Sequence, residues 1–189
     1  MAEIPNCFDK AEYYFEDAMR SYCELYGKNE ADLTDGDYEE IMKYAGNHIG
    51  FFITWVIRRG QLGSMHRSNP DAMAAAEKVK TGEMLGIDFL MEYCDGRLYP
   101  EDMFDETVSF AVKIYDDYFR IYSEFVINEL YDLPLEFIGS WEDYLAFEPV
   151  LDRLYKDTVM SDNSGGDSPA PENEGQGTGG LFEGKWKLL

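Results

Sequence analysis

Apolar positions along the chain recur at three- and four-residue steps, and that period divides it into helices. Phe8, Ala11, Phe15, Ala18, Tyr22 and Leu25 share one face, so the spacing predicts a first helix from about Phe8 to Tyr26, closed by Gly27. A second helix is expected from Asp37, with Asp37 and Glu40 as a capping box, to Arg59. Its centre is the apolar run Ile49 to Ile57, and Arg58 and Arg59 suit the negative end of the helix dipole. Gly46 and Gly50, one turn apart, leave room for another helix to approach closely.

A polar connection follows from Gln61 to Asn69. Asn69-Pro70 opens a short helix reaching about Lys80, and Met84 to Tyr93 forms another. Cys94-Asp95-Gly96-Arg97 reads as a turn. The longest stripe runs from Pro100 to Tyr131 through Phe104, Val108, Ala111, Tyr115, Tyr118, Tyr122 and Phe125. Ser140 to Asp143 caps a last helix that ends near Val159, with a kink or break expected at Pro149. No run alternates with period two. The expectation is an all-α, single compact, bundle-like domain of about six helices over residues 1–160. Residues 161–180, rich in Gly, Ser, Pro and acids, read as a flexible linker, and residues 181–189 as an apolar C-terminal peptide that docks or stays disordered.

Composition turns this scaffold into one with an unusual exterior. The net charge is −22 over 189 residues, and most of it falls on residues 1–160. Nucleic acid and anionic membrane are excluded as partners, because both require clustered Lys and Arg. The apolar run is about half of what a bilayer span needs. Cys7, Cys23 and Cys94, odd in number and far apart, and a start without signal-peptide character, suggest a reducing cytoplasmic setting. Aromatics at 15% serve packing and recognition alike.

Candidate chemistry is sparse. His48 and His66 do not make a His-rich metal site, no Cys-x-x-Cys spacing occurs, and phosphate-loop, dinucleotide and Ser-elbow motifs are missing. Adjacent acids such as Glu39-Glu40, Asp116-Asp117 and Glu142-Asp143 diverge by about 100° on a helix and do not converge on one ion. No catalytic, cofactor or metal residue is therefore expected. His48, with Trp55 and Asp95 near it, is the candidate for a core or pocket, and Asp9, Glu12 and Asp95 are possible partners of its ring. Glu39, Glu40, Asp116, Asp117, Tyr118 and Tyr122 are the candidates for a partner-binding surface.

Several of these segments, in order, resemble a bacterial domain family of unknown function. The resemblance rests on Phe8-Asp9-Lys10-Ala11-Glu12-Tyr13, then Ala45-Gly46-Asn47-His48-Ile49-Gly50 with Phe51 to Trp55 and Arg58-Arg59-Gly60. Phe89-Leu90, Cys94 to Leu98, Tyr115, Tyr118-Phe119, Trp141 to Tyr144 and Pro149-Val150 extend it over residues 7 to 157. The sequence departs at Tyr13 and Tyr14, where the family often has Trp and His. Members look like immunity proteins and other small cytosolic proteins encoded near secreted antibacterial toxins, which implies an immunity role, and the anionic surface suits a toxin whose active site is basic. Two other classes stay open: a small-molecule or enzymatic domain with a pocket near His48, and a DNA mimic.

Overall fold

The architecture is that of a computed structural model, which describes residues 3–164, with side chains to Met160. Among these residues seven α-helices and one two-stranded sheet form the fold, in the order β1 (Asp9–Lys10), α1 (Phe15–Tyr26), α2 (Asp35–Arg58), α3 (Ser64–Arg67), α4 (Pro70–Thr81), α5 (Gly86–Tyr93), β2 (Arg97–Leu98), α6 (Asp105–Phe125) and α7 (Trp141–Ser164). The all-α class expected from periodicity is what the chain adopts.

α2 is the axle. Every residue from Tyr44 to Ile57 is buried, as expected of a helix apolar on all sides. Two glycines on facing helices make this possible. A Cβ on Gly50 would stand 2.7 Å from the Ile87 backbone nitrogen, and one on Gly86 would stand 1.9 Å from Thr54 Oγ1. α2 and α5 thus touch through bare backbone, and the Gly46/Gly50 spacing is put to that use. The larger core gathers Phe52, Trp55, Phe89, Phe110, Tyr118 and Phe147 around α2. A smaller one places Ala11, Ala18 and Tyr22 against Ile41, Tyr44 and Ala45.

Both ends of α2 are fastened. Thr34, not Asp37, is the N-cap, in a reciprocal capping box with Asp37. The cap falls earlier than expected because Thr34 supplies the hydroxyl and Asp37 the returning carboxylate. Asp37 also accepts from the Tyr22 phenol at 2.6 Å and pairs with Lys28 at 2.5 Å. Lys28, Tyr22 and Thr34 hold its carboxyl well below the usual range. At the other end Arg58 grips both Glu148 oxygens, at 2.6 and 3.1 Å, and covers the Trp141 ring. Arg59 pairs with Asp152 and stacks on Tyr155. The two cations join α2 to α7 rather than only complementing a dipole.

Further expectations are corrected. Phe8 to Tyr14 is not α-helical. The Phe8 amide donates to the Leu98 carbonyl at 2.8 Å, Asp9 and Lys10 pair antiparallel with β2, and Ala11–Tyr14 is a 3-10 turn. The polar connection after α2 contains α3. Pro100–Asp102 is a separate 3-10 turn, and beyond α6 the chain forms a π-helical turn over Val126–Leu130. Finally, α7 is not divided at Pro149: one helix continues past it, with Tyr144, Phe147 and Leu151 on either side buried in the core. It continues to Ser164, four residues into the stretch read as linker. The remainder of that linker and the peptide 181–189 lie outside the described residues.

Candidate functional site

Each of the two histidines faces a buried aspartate, and the two settings differ. His48 comes from the middle of α2 and is fully buried. Its Nε2 lies 2.9 Å from Asp9 Oδ2, brought in by β1. The other Asp9 oxygen accepts the Lys10 amide at 2.8 Å. Aromatic rings close the space. Tyr14 and Phe119 meet the imidazole edge-on at 4.6 and 4.8 Å, and the Tyr14 hydroxyl lies 3.4 Å from Asp9 Oδ2. α6 contributes Tyr118, whose hydroxyl donates to the His48 carbonyl at 2.7 Å, and Tyr122, which accepts from Asn47 at 2.8 Å. Burial pushes the Tyr115 and Tyr118 phenols well above their ordinary range. His48 Nδ1 meets no hydrogen-bond partner. This is a packed centre that ties β1, α2 and α6 together.

The second cluster sits where three short elements meet. Leu62 bridges to Met103, and the Gly63 amide donates to the Asp102 carbonyl at 2.8 Å, which sets α3 against the Pro100–Asp102 turn. Gly63 is needed there, since a Cβ would fall 1.9 Å from the Glu101 carbonyl oxygen. His66 on α3 places Nε2 2.8 Å from Asp102 Oδ1, while Asp102 Oδ2 accepts the Tyr99 amide at 2.7 Å. Cys94, closing α5, places Sγ 3.7 Å from the same His66 nitrogen. All three side chains are buried. A Cys, a His and an Asp in contact invite a nucleophile reading, and the geometry opposes it. A relay needs thiol and carboxylate on different ring nitrogens; here both face Nε2. Burial, then the Asp102 and Asp95 charges, push the Cys94 thiol upward, away from the thiolate.

The remaining expected residues divide sharply. Trp55 is core, its indole N–H donating to Asp152 at 2.9 Å. Asp95 is exposed and does not reach His48. With φ of 52° beside Gly96 at 69°, it forms the centre of a turn in which the Arg97 amide donates to the Cys94 carbonyl at 3.0 Å. Glu39, Asp116 and Asp117 lie on the exterior, and Glu40 is half-buried within reach of the Tyr22 and Tyr44 hydroxyls. Tyr118 and Tyr122, expected beside those acids as partner contacts, are both 0% exposed. That expectation is wrong: the α6 face they occupy is the one packed against α2 and α7.

Sequence reasoning passed over two places. The His66, Cys94 and Asp102 cluster has spacings that match no metal motif, and only the fold brings it together. Tyr131 follows the π-helical turn, is 88% exposed, and takes a left-handed backbone with φ of 58°. Ile127 and Leu133 near it in sequence are also exposed, as are the acids Glu124, Glu129 and Asp132. Its one sequence signal was its place between the apolar stripe and Pro134.

Among the described residues, no helix is long and apolar enough to cross a membrane. A family model described as a domain of unknown function (DUF7832) matches residues 7–133, and the chain belongs to that family. No curated protein and no solved structure matches it.

Proposed function

We propose that this family member is a binding protein whose acidic exterior masks a cationic protein, acting as the immunity partner of a secreted antibacterial toxin. The observation that carries the reading is Tyr131. A bulky residue in the left-handed region is uncommon, and strain of this kind gathers at functional positions. π-helical turns do the same. A tyrosine has only two side-chain torsions to fix on docking for a large contact area, and Tyr is enriched among residues that dominate binding energy. The exposed acids Glu124, Glu129 and Asp132 lie within seven residues of it in the chain, an acidic stretch suited to a basic active site, although Glu124 is paired with Arg120 at 3.0 Å. Asp116 and Asp117, earlier on α6, add to that field, and Asp117 already pairs with Arg120.

The buried His48 supports this reading over a small-molecule site, because its ring is fully covered by packed aromatics. A DNA mimic shares the charge but has no use for an apolar anchor such as Tyr131. The test is titration of the purified product of the adjacent gene by calorimetry, together with co-expression in cells poisoned by it. A complex that weakens with salt and loses at least about 2 kcal/mol in Tyr131→Ala is expected. Absence of a complex, with no rescue of growth, would overturn the proposal.

A further inference from the structure

We propose that His66, Cys94 and Asp102 form a binding site for a thiophilic divalent cation of the zinc class. The three potential ligand atoms, one from each side chain, all lie within 4.8 Å of one another. The donors of tetrahedral zinc, at bonds of about 2.0–2.3 Å, stand about 3.4–3.6 Å apart. The Cys94 Sγ to His66 Nε2 separation of 3.7 Å already suits such an edge. The His66 to Asp102 separation of 2.8 Å is that of a hydrogen bond and has to open by about 0.6 Å, a side-chain rotation rather than a backbone shift. Both the sulfur and the carboxylate oxygen face one nitrogen, an arrangement that is wrong for a relay and right for ligands converging on one ion.

The surroundings fit as well. The Tyr99 amide occupies Asp102 Oδ2 and leaves Oδ1 inward, the kind of outer partner that fixes a ligating carboxylate. A thiolate and an imidazole nitrogen together select zinc over calcium or magnesium, which prefer oxygen. Three protein ligands leave one position for water. The protons balance: the cation replaces the thiol proton, which goes to solvent, and the imidazole proton moves to Nδ1 by exchange with water. One proton is released, and a carboxylate plus a thiolate neutralise the dication. Bound there, the ion joins α3, the end of α5 and the Pro100–Asp102 turn, adding to the Leu62–Met103 bridge and the Gly63 amide bond that already hold two of them together.

The His48 pair offers a contrast, since beside Asp9 it meets only a phenol and aromatic rings. Cys7 and Cys23 lie elsewhere and serve as internal controls.

The experiment uses the full chain, stripped with chelator and desalted. Titration with Co²⁺ should produce thiolate-to-cobalt charge-transfer absorption at one equivalent, which Zn²⁺ then removes, and Zn²⁺ should raise the unfolding midpoint. Cys94→Ser and His66→Gln should abolish the absorption and weaken Zn²⁺ binding more than about 100-fold, because outer-shell partners alone account for 10–100-fold. Cys7→Ser and Cys23→Ser should leave both unchanged. If Cys94→Ser does not fold, protection of Cys94 from alkylation by Zn²⁺ in the native chain replaces it. No thiolate absorption, absorption that survives loss of Cys94, or a midpoint indifferent to Zn²⁺ would each overturn the site.

Discussion

The two buried histidine–aspartate pairs have nearly the same contact, 2.9 Å at His48 and 2.8 Å at His66, and opposite surroundings. Around His48 the third neighbours are Tyr14, Phe119 and Tyr118, so the pair is sealed in aromatic packing. Around His66 the third neighbour is a thiol, so the pair is one proton away from a ligand set. A His–Asp contact by itself therefore says little. What stands at the third corner decides whether it is a structural pin or a site for an ion.

The largest test of this distinction is loss of the pin. His48→Ala leaves Asp9 buried without its partner and opens a cavity between α2, β1 and α6. A cost of about 2–5 kcal/mol is expected in urea unfolding, from the cavity together with a buried carboxylate oxygen that loses a hydrogen-bond partner. Zn²⁺ should not change that cost. A fully stable His48→Ala variant would mean that the centre is a pocket able to tolerate empty space.

Gly50→Ala comes next and separates the two pairs mechanically. Its Cβ would meet the Ile87 backbone, which cannot rotate away. The expected loss is about 1–3 kcal/mol. The displacement would fall on α5, which carries Cys94, and not on β1, which carries Asp9. Zn²⁺ affinity should fall in this variant while the His48–Asp9 contact persists, as read by NMR of the imidazole. Gly46→Ala should cost less, because its Cβ meets the flexible tips of Ile87 and Met91 at 3.0 Å and the Ala11 Cβ at 3.1 Å, contacts that are wider than those with the Ile87 backbone.

A smaller effect comes from a third buried carboxylate, Asp37, whose main partner is a permanent cation. Its pKa is lowered in the folded chain, so the stability it contributes is present above its unfolded value. That contribution is lost as pH falls through the folded value. Lys28→Met should therefore lower the thermal midpoint at neutral pH and converge with the wild type in strong acid. Equal midpoints at neutral pH would show that Thr34 and Tyr22 suffice to hold the carboxylate. Smaller again is Cys94→Ala in chelator, expected to cost about 1 kcal/mol. Without a metal the thiol contributes packing and one weak contact with His66 Nε2.

These tests also mark what the sequence could disclose. The apolar period placed α4 and the α1 end at Tyr26 closely, because Asn69-Pro70 and Gly27 are local signals whose physics acts within one turn. The same period extended the first helix too far toward Phe8, where pairing with β2 overrides it. That pairing joins residues far apart in the chain and leaves no periodic trace in two-residue strands. His48 was recognisable as central from its position beside the apolar run, and Asp9 was among its three possible partners. The His66 cluster was invisible, since its members lie on α3, at the end of α5 and in a 3-10 turn. Tyr118 and Tyr122 were misplaced for a related reason. Periodicity shows that tyrosines share a stripe, but not whether the stripe faces Asn47 or water.

The finest test of the comparison is Tyr14→Phe. Position 14 covers the His48 pair: its ring meets the imidazole at 4.6 Å and its hydroxyl lies 3.4 Å from Asp9 Oδ2. If the centre is a sealed pin, the ring does most of the work and the hydroxyl little, because a bond that long is weak. Phenylalanine keeps the ring, so the loss should stay at or below about 0.5 kcal/mol, the low end for a hydrogen bond. Asp9 keeps the Lys10 amide and His48 in either case. A loss of several times that size would place Tyr14 inside a working polar network. His48 would then stand closer in kind to His66, and the aromatic corner would no longer separate the two pairs.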